Sequence, residues 1–236
     1  MKIRKAVLLI HGFAGGTYDM ESLAWRLEKC LTLDVYEFTL PGHGYRSSDM
    51  SNCREWIKCA CEKVETLISY GYKDIYVVGH SMGGVIATYV ATKYKEIKKV
   101  VLAAPAFKYI AEKENFSLKK TNNIINDYGL SEIWFRCLSK LPIHSLNEFV
   151  ILVKKYQDTP KKVKVPILIF QGLKDDIVPV TSGEYVFNSV KSKEKGLVYL
   201  ENSNHNIFNG PQQDNVNIRI EKFLLYGTMK EKEYVW

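Results

Sequence analysis

The stretch "VVGHSMGG", Val77 to Gly84, sets a serine between glycines, where an apolar β-branched run meets the helical pattern "VIATYVATKY". A turn tight enough to lift the Ser81 hydroxyl clear of the backbone forces unusual dihedrals on that residue. Glycines at 79 and 83 leave the space such a turn needs. The helix beginning after Ser81 aims unpaired N–H groups and its positive dipole end at any negative charge that develops beside the hydroxyl. The Met82 N–H is therefore a candidate oxyanion donor. A serine hydroxyl is a weak nucleophile alone, so the chemistry requires a base to take its proton and a third group to fix the base's tautomer.

Five histidines are available. His11 ends the first apolar run, His43 lies in a turn, His80 is inside the elbow, and His144 falls in a helical interval. Only His205, in "LENSNHNIF", follows the last apolar run, where a loop at the carboxyl edge of a sheet can carry an imidazole over Ser81. The acid is expected after the preceding strand, in "ILIFQGLKDDIVP", which offers Asp175 and Asp176, with Asp158 and Glu201 as rivals. Asp175 is the choice. The chain order is then Ser81, Asp175, His205, the order that accompanies a strand-to-helix elbow. A second oxyanion donor is expected from the glycine-rich turn His11-Gly12-Phe13-Ala14-Gly15-Gly16, through the Phe13 N–H.

These side chains need a scaffold that brings several loops to one edge. Apolar runs at Ala6–Ile10, Val35–Leu40, Ile75–Val78, Val100–Ala103, Ile167–Phe170 and Leu197–Leu200 are continuous rather than alternating, as a parallel sheet covered on both faces requires. Between them, "YDMESLAWRLEKC" puts Met20, Leu23, Ala24 and Leu27 on one helical face. "REWIKCACEKVETLI" does the same with Trp56, Cys59, Ala60, Val64 and Leu67, so both read as crossover helices. From residue 108 to 164 no strand-like run returns, while "NNIINDYGLSEIWFRCLSKL" and "SLNEFVILVKKY" have helical character. The expected organisation is an α/β core over 1–107 and 165–236, a mostly parallel sheet of six to seven strands flanked by helices, with a helical cap inserted at 108–164.

The chain has 236 residues and a formal net charge of +7, so nucleic acid and anionic membranes must be weighed. The lysines are scattered singly or in pairs, with no zinc-finger or RNP-like pattern, which predicts a solvated lysine-rich surface and no nucleic-acid partner. No apolar stretch nears the ~18–20 residues that span a bilayer, and the first run is too short for a signal peptide, so a cytoplasmic protein is expected. Five cysteines without disulfide or metal spacing are expected as free thiols: Cys30, Cys53, Cys59, Cys61 and Cys137. Neither nucleotide-binding loops nor H-E-x-x-H is present, and no cofactor or metal is expected.

Taken together, HGFAGG, PGHG, GHSMGG, GLKDDIVP and NSNHNIF resemble the α/β-hydrolase family, and within it small bacterial carboxylesterases and monoacylglycerol lipases. The resemblance runs from Val7 to about Leu225. It implies Ser81, Asp175 and His205 as the triad, with Asp175 preferred by the Gly-x-x-Asp spacing from Gly172. It also implies the Phe13 and Met82 amides as the oxyanion hole, and 108–164 as the cap that selects substrate. Many family members begin with extra antiparallel strands, for which this chain lacks the residues. The expected activity is carboxylic ester hydrolysis on small or medium acyl esters, by a monomer or weak dimer without stable membrane insertion. Monoacylglycerols, thioesters, feruloyl-type esters and carbon–carbon bonds are the alternatives, and a noncatalytic ligand-binding protein of the same fold is the rival from another class.

Overall fold

Every one of the six apolar runs forms a strand, and a seventh strand lies near the carboxyl end. In the computed structural model, which describes residues 4–45, 51–108, 143–227 and 232–235, these are β1 (Lys5–Ile10), β2 (Leu33–Glu37), β3 (Ile75–His80), β4 (Ile97–Ala103), β5 (Ile167–Gly172), β6 (Lys195–Leu200) and β7 (Lys232–Val235). Neighbours pair in parallel throughout, in the order β2-β1-β3-β4-β5-β6-β7. β7 escapes a search for apolar runs because an edge strand pairs on one side only and "KEYV" carries two charges.

β2 corrects the expected Val35–Leu40. It begins and ends earlier, because the chain leaves the sheet after Glu37 and the Leu40 N–H turns to His11 Nε2 at 2.9 Å instead of a neighbouring strand. Phe38 and Leu40 remain buried, so the apolar run reports burial beyond the strand's end.

The strands divide their side chains between two cores. Leu8, Ile10, Val77, Leu102 and Ile169 join the layer of α2 (Cys53–Ser69), α3 (Met82–Lys93), α4 (Ile143–Tyr156) and α5 (Val180–Ser189). Val7, Leu9, Val78, Val101 and Phe170 join that of α1 (Glu21–Glu28) and α6 (Gln213–Tyr226). The predicted faces hold: Met20, Leu23, Ala24, Leu27, Trp56, Ala60, Val64 and Leu67 are all buried, while Cys59 is half-buried. Asn52 caps α2 by accepting the Arg54 and Glu55 N–H groups, and Glu55 accepts the Asn52 N–H in return. Cys30, Cys53, Cys59 and Cys61 are free thiols.

Of the interval 108–164, residues 109–142 lie outside the described residues, with Cys137 and the aromatic and apolar positions Tyr109, Phe116, Ile125, Trp134, Phe135 and Leu138. The described remainder holds α4, whose Leu152 and Val153 are buried in the same core as α2 and α3. Among the described residues, no helix is long and apolar enough to cross a membrane.

The strand order places the site. β1 has β2 on one side and β3 on the other, so the loops leaving β1 and β3 depart in the crevice where the winding reverses. In open parallel sheets, ligands collect at that crevice, outside the strands' carboxyl ends.

Candidate active site

At the end of β3 the backbone turns sharply: Ser81 sits at φ 52° and ψ −116°, and α3 begins at the next residue. Positive φ in a residue with a side chain is strained and survives only when its surroundings enforce it. Here they do. The Ser81 N–H donates to Ala103 O at 2.8 Å, and Ser81 O accepts the N–H groups of Gly84 (2.9 Å) and Ala106 (3.1 Å). The glycines are sterically required: a Cβ at Gly79 would lie 2.3 Å from Gly83 O, and one at Gly83 would lie 2.1 Å from Ile10 O. The helix thereby packs its first turn directly on the end of β1. Met82, the first residue of α3, has an N–H with no acceptor inside the helix.

The loop after β1 crosses the elbow closely. A Cβ on Gly12 would fall 3.2 Å from Ser81 Cβ and 3.3 Å from His80 Nδ1. The Phe13 ring is anchored away from this crossing, stacked on Phe149 of α4 (5.2 Å between centroids) and edge-on to His43 and Trp56. Ala14 follows at φ 64°, so the turn that presents the Phe13 peptide is itself held in an unusual backbone region. His11 braces it from below. A carbonyl only accepts and an amide N–H only donates, so His11 Nδ1–H donates to Gly12 O (2.7 Å) while Nε2 accepts from Leu40 N–H.

His205, in the loop after β6, meets Asp175, in the loop after β5. Its Nδ1 lies 3.1 and 3.0 Å from Asp175 Oδ1 and Oδ2. A carboxylate accepts, so the proton sits on Nδ1 and Nε2 is left with its lone pair. Asp175 also accepts the N–H groups of Ile177 (3.0 Å) and Val178 (2.8 Å), and Gln171 Nε2 donates to it at 3.3 Å. Burial alone lowers the pKa of His205, but the charge and hydrogen bond of Asp175 outweigh it, with help from Asp176 and Asp19, and the net direction is upward. His80 fastens the same loop to the elbow: its Nε2–H donates to His205 O at 3.0 Å, and the two rings stand 5.1 Å apart.

The structure thus gathers Ser81, His205, Asp175, the Phe13 turn and the Met82 amide at one edge of the sheet. Two rival acids stand apart from the histidine. Asp158 pairs with Lys161 at the surface, and Asp176 keeps Oδ2 buried with no hydrogen-bond partner among the described residues, its pKa raised by burial and by Asp175 against the pull of its own N–H. His144 is exposed at the start of α4. Sequence reasoning missed three contributors: His80, Gln171 and Asp19. Gln171 had a visible signal, a lone polar residue in the apolar run of β5; the other two had none beyond their neighbours.

An all-parallel sheet with a serine elbow after β3, and an acid and a histidine after β5 and β6, defines an α/β-hydrolase. A family model described as "Serine aminopeptidase, S33" matches residues 1–139 and 135–212, and the chain belongs to that family of hydrolases. It is 27% identical over 209 residues to a thermostable monoacylglycerol lipase of Bacillus sp. strain H-257, covering 84% of this chain and 82% of that protein. It is 25% identical over 235 residues to a carboxylesterase of Bacillus subtilis strain 168, covering 93% and 92%. Among solved structures, a monoacylglycerol lipase of Paleococcus ferrophilus superposes with a TM-score of 0.74 at 20% identity over 94% and 95% of the two chains, a likeness of fold.

Proposed function

We propose that the protein is a serine carboxylic ester hydrolase acting on small or medium-chain acyl esters. The observation that carries this reading is the buried Asp175–His205 pair, 3.0 Å apart and tied through His80 to the elbow that presents Ser81. His205 Nε2 takes the Ser81 proton as Oγ attacks the ester carbonyl, and the resulting oxyanion is held by the Phe13 and Met82 N–H groups. The tetrahedral intermediate collapses, the C–O bond breaks, and His205 returns the proton to the leaving alcohol. Water, deprotonated by the same nitrogen, then attacks the acyl-enzyme and releases the acid. Asp175 keeps the proton on Nδ1 throughout and stabilises the imidazolium. The segment 108–164 serves as the cap that selects the acyl group.

The relatives favour the ester class, one being named a carboxylesterase and one a monoacylglycerol lipase. Turnover of p-nitrophenyl esters of graded acyl length, monoacylglycerols, acyl thioesters, feruloyl esters and aminoacyl anilides ranks the substrates. Ser81→Ala is expected to lower ester turnover by about 10⁶-fold, since a triad acts as a unit. An alanine variant with full activity removes Ser81 as the nucleophile, and wild-type protein that neither turns over these esters nor is labelled at Ser81 by a fluorophosphonate replaces this reading with a noncatalytic binding protein.

A further inference from the structure

Asp19 has no part in the triad, yet its carboxyl lies on the loop that crosses Ser81. That loop runs from Gly12 to Gly16 into the 3-10 turn Thr17–Met20. The Gly16 N–H points to Asp19 Oδ2 at 3.4 Å, and the Asp19 N–H donates to Gly16 O at 3.1 Å. Gly15 supplies the seat: a Cβ there would fall 1.7 Å from Asp19 Oδ2 and 2.9 Å from its Cγ. The rest of the loop is tied in turn. The Gly15 N–H donates to Gly12 O (3.2 Å), and the Gly44 N–H of the PGHG turn donates to Gly15 O (2.9 Å).

A turn with glycine at 12, 15 and 16 has wide conformational freedom, and an oxyanion donor works only if it already points where the charge will form. A side chain must supply the restraint that glycines lack. We propose that Asp19 is the positioning residue of the oxyanion loop, its carboxyl seated on Gly15 and Gly16 so that the Phe13 N–H is held toward Ser81. This rests on the ester-hydrolase reading above. Burial also raises the carboxyl's pKa to about 7, against the opposing pull of the Gly16 N–H and of His205. The upward shift lessens the negative charge that the carboxyl brings to this loop.

The test compares Asp19→Ala, Asp19→Asn and Gly15→Ala by kcat and KM on a p-nitrophenyl ester, and by affinity for a trifluoromethyl ketone, whose serine adduct carries the oxyanion. Removing an oxyanion donor outright costs about 10²–10³ in turnover, so a misaimed one is expected to cost roughly 10- to 100-fold in kcat. Asp19→Ala should show that loss with KM changed less than about threefold, together with a parallel loss of ketone affinity. Asp19→Asn fills the same seat and still accepts from Gly16, so it should stay within about threefold of wild type. Gly15→Ala should reproduce Asp19→Ala by displacing the carboxyl, and the double variant Gly15→Ala/Asp19→Ala should be no worse than either single change. If Asp19→Ala leaves kcat unchanged, or if its loss falls on KM while ketone affinity holds, the proposal fails. Should Asp19→Ala not fold, Asp19→Asn and Gly15→Ala decide: equal losses in both overturn it. Ser81→Ala, run alongside, separates the two levels, because full activity there removes the serine-nucleophile reading itself.

Discussion

Two groups of buried histidines meet opposite fates in this fold. Around the loops after β1, β2 and β3, burial drives the imidazoles down: His11 to about 3, His43 to about 4 and His80 to about 4. In the loop after β6, His205 is as deeply enclosed and moves up. The difference lies in what the ring meets. The first three have backbone partners, Gly12 O and Leu40 N–H for His11, Pro41 O for His43 and His205 O for His80. His205 meets a carboxylate through both oxygens. Burial alone keeps a histidine neutral, and a paired carboxylate raises its affinity for a proton despite burial.

Removing the carboxylate breaks the contrast most sharply. Asp175→Asn should lower kcat by about 10⁴-fold, because Nδ1 loses the acceptor that sets its tautomer. It should also move the acid limb of kcat/KM. If His205 is the base, this limb is expected above the ordinary histidine value of about 6.5 in the wild type, since its pKa is raised, and below that value in the variant. Asp176→Asn is expected to stay within about tenfold of wild type, and the reverse ranking would transfer the role to Asp176.

The next effect is on stability. His11 is neutral in the fold down to about pH 3 but takes a proton in the unfolded chain below about 6.5, so the unfolded state binds more protons and stability falls as pH falls through that window. One such proton is worth about 1.4 kcal/mol per pH unit. Urea unfolding at pH 4.5, 5.5 and 6.5 should therefore show a slope about that much shallower in His11→Phe; an unchanged slope would mean that the ring is protonated in the fold.

At pH 7, the same variant should lose about 1–3 kcal/mol, because the buried Leu40 N–H loses its acceptor. His43→Phe should change stability least, by under about 1 kcal/mol. Pro41 O keeps the Ser51 hydroxyl (2.6 Å) and the Trp56 indole N–H (3.0 Å), while His43 Nε2, which has no partner among the described residues, disappears. If His43→Phe proves as costly as His11→Phe, the distinction between a bridging and a redundant imidazole is wrong.

Much of this was written locally in the chain. The elbow glycines, the Gly-x-x-Asp spacing and the apolar runs each concern residues close in sequence, and the steric clashes that a Cβ would make at Gly79 and Gly83 explain why those types stand there. Where β2 ends was not local, since it depends on His11 accepting the Leu40 N–H across 29 residues. Nor was β7, whose pairing with β6 needs no apolar signature.

The sequence by itself determined the residue types and their order, because a serine at a strand-to-helix turn and an aspartate and a histidine at later strand ends follow from turn sterics and hydrophobic periodicity. Chain order already singled out His205; what tertiary structure decided is the direction in which each buried imidazole's proton affinity moves. Five imidazoles share one intrinsic affinity for protons, and the parallel sheet, by bringing the loops after β5 and β6 together at one edge, sets the Asp175 carboxylate against the buried ring of His205 and backbone against His11, His43 and His80.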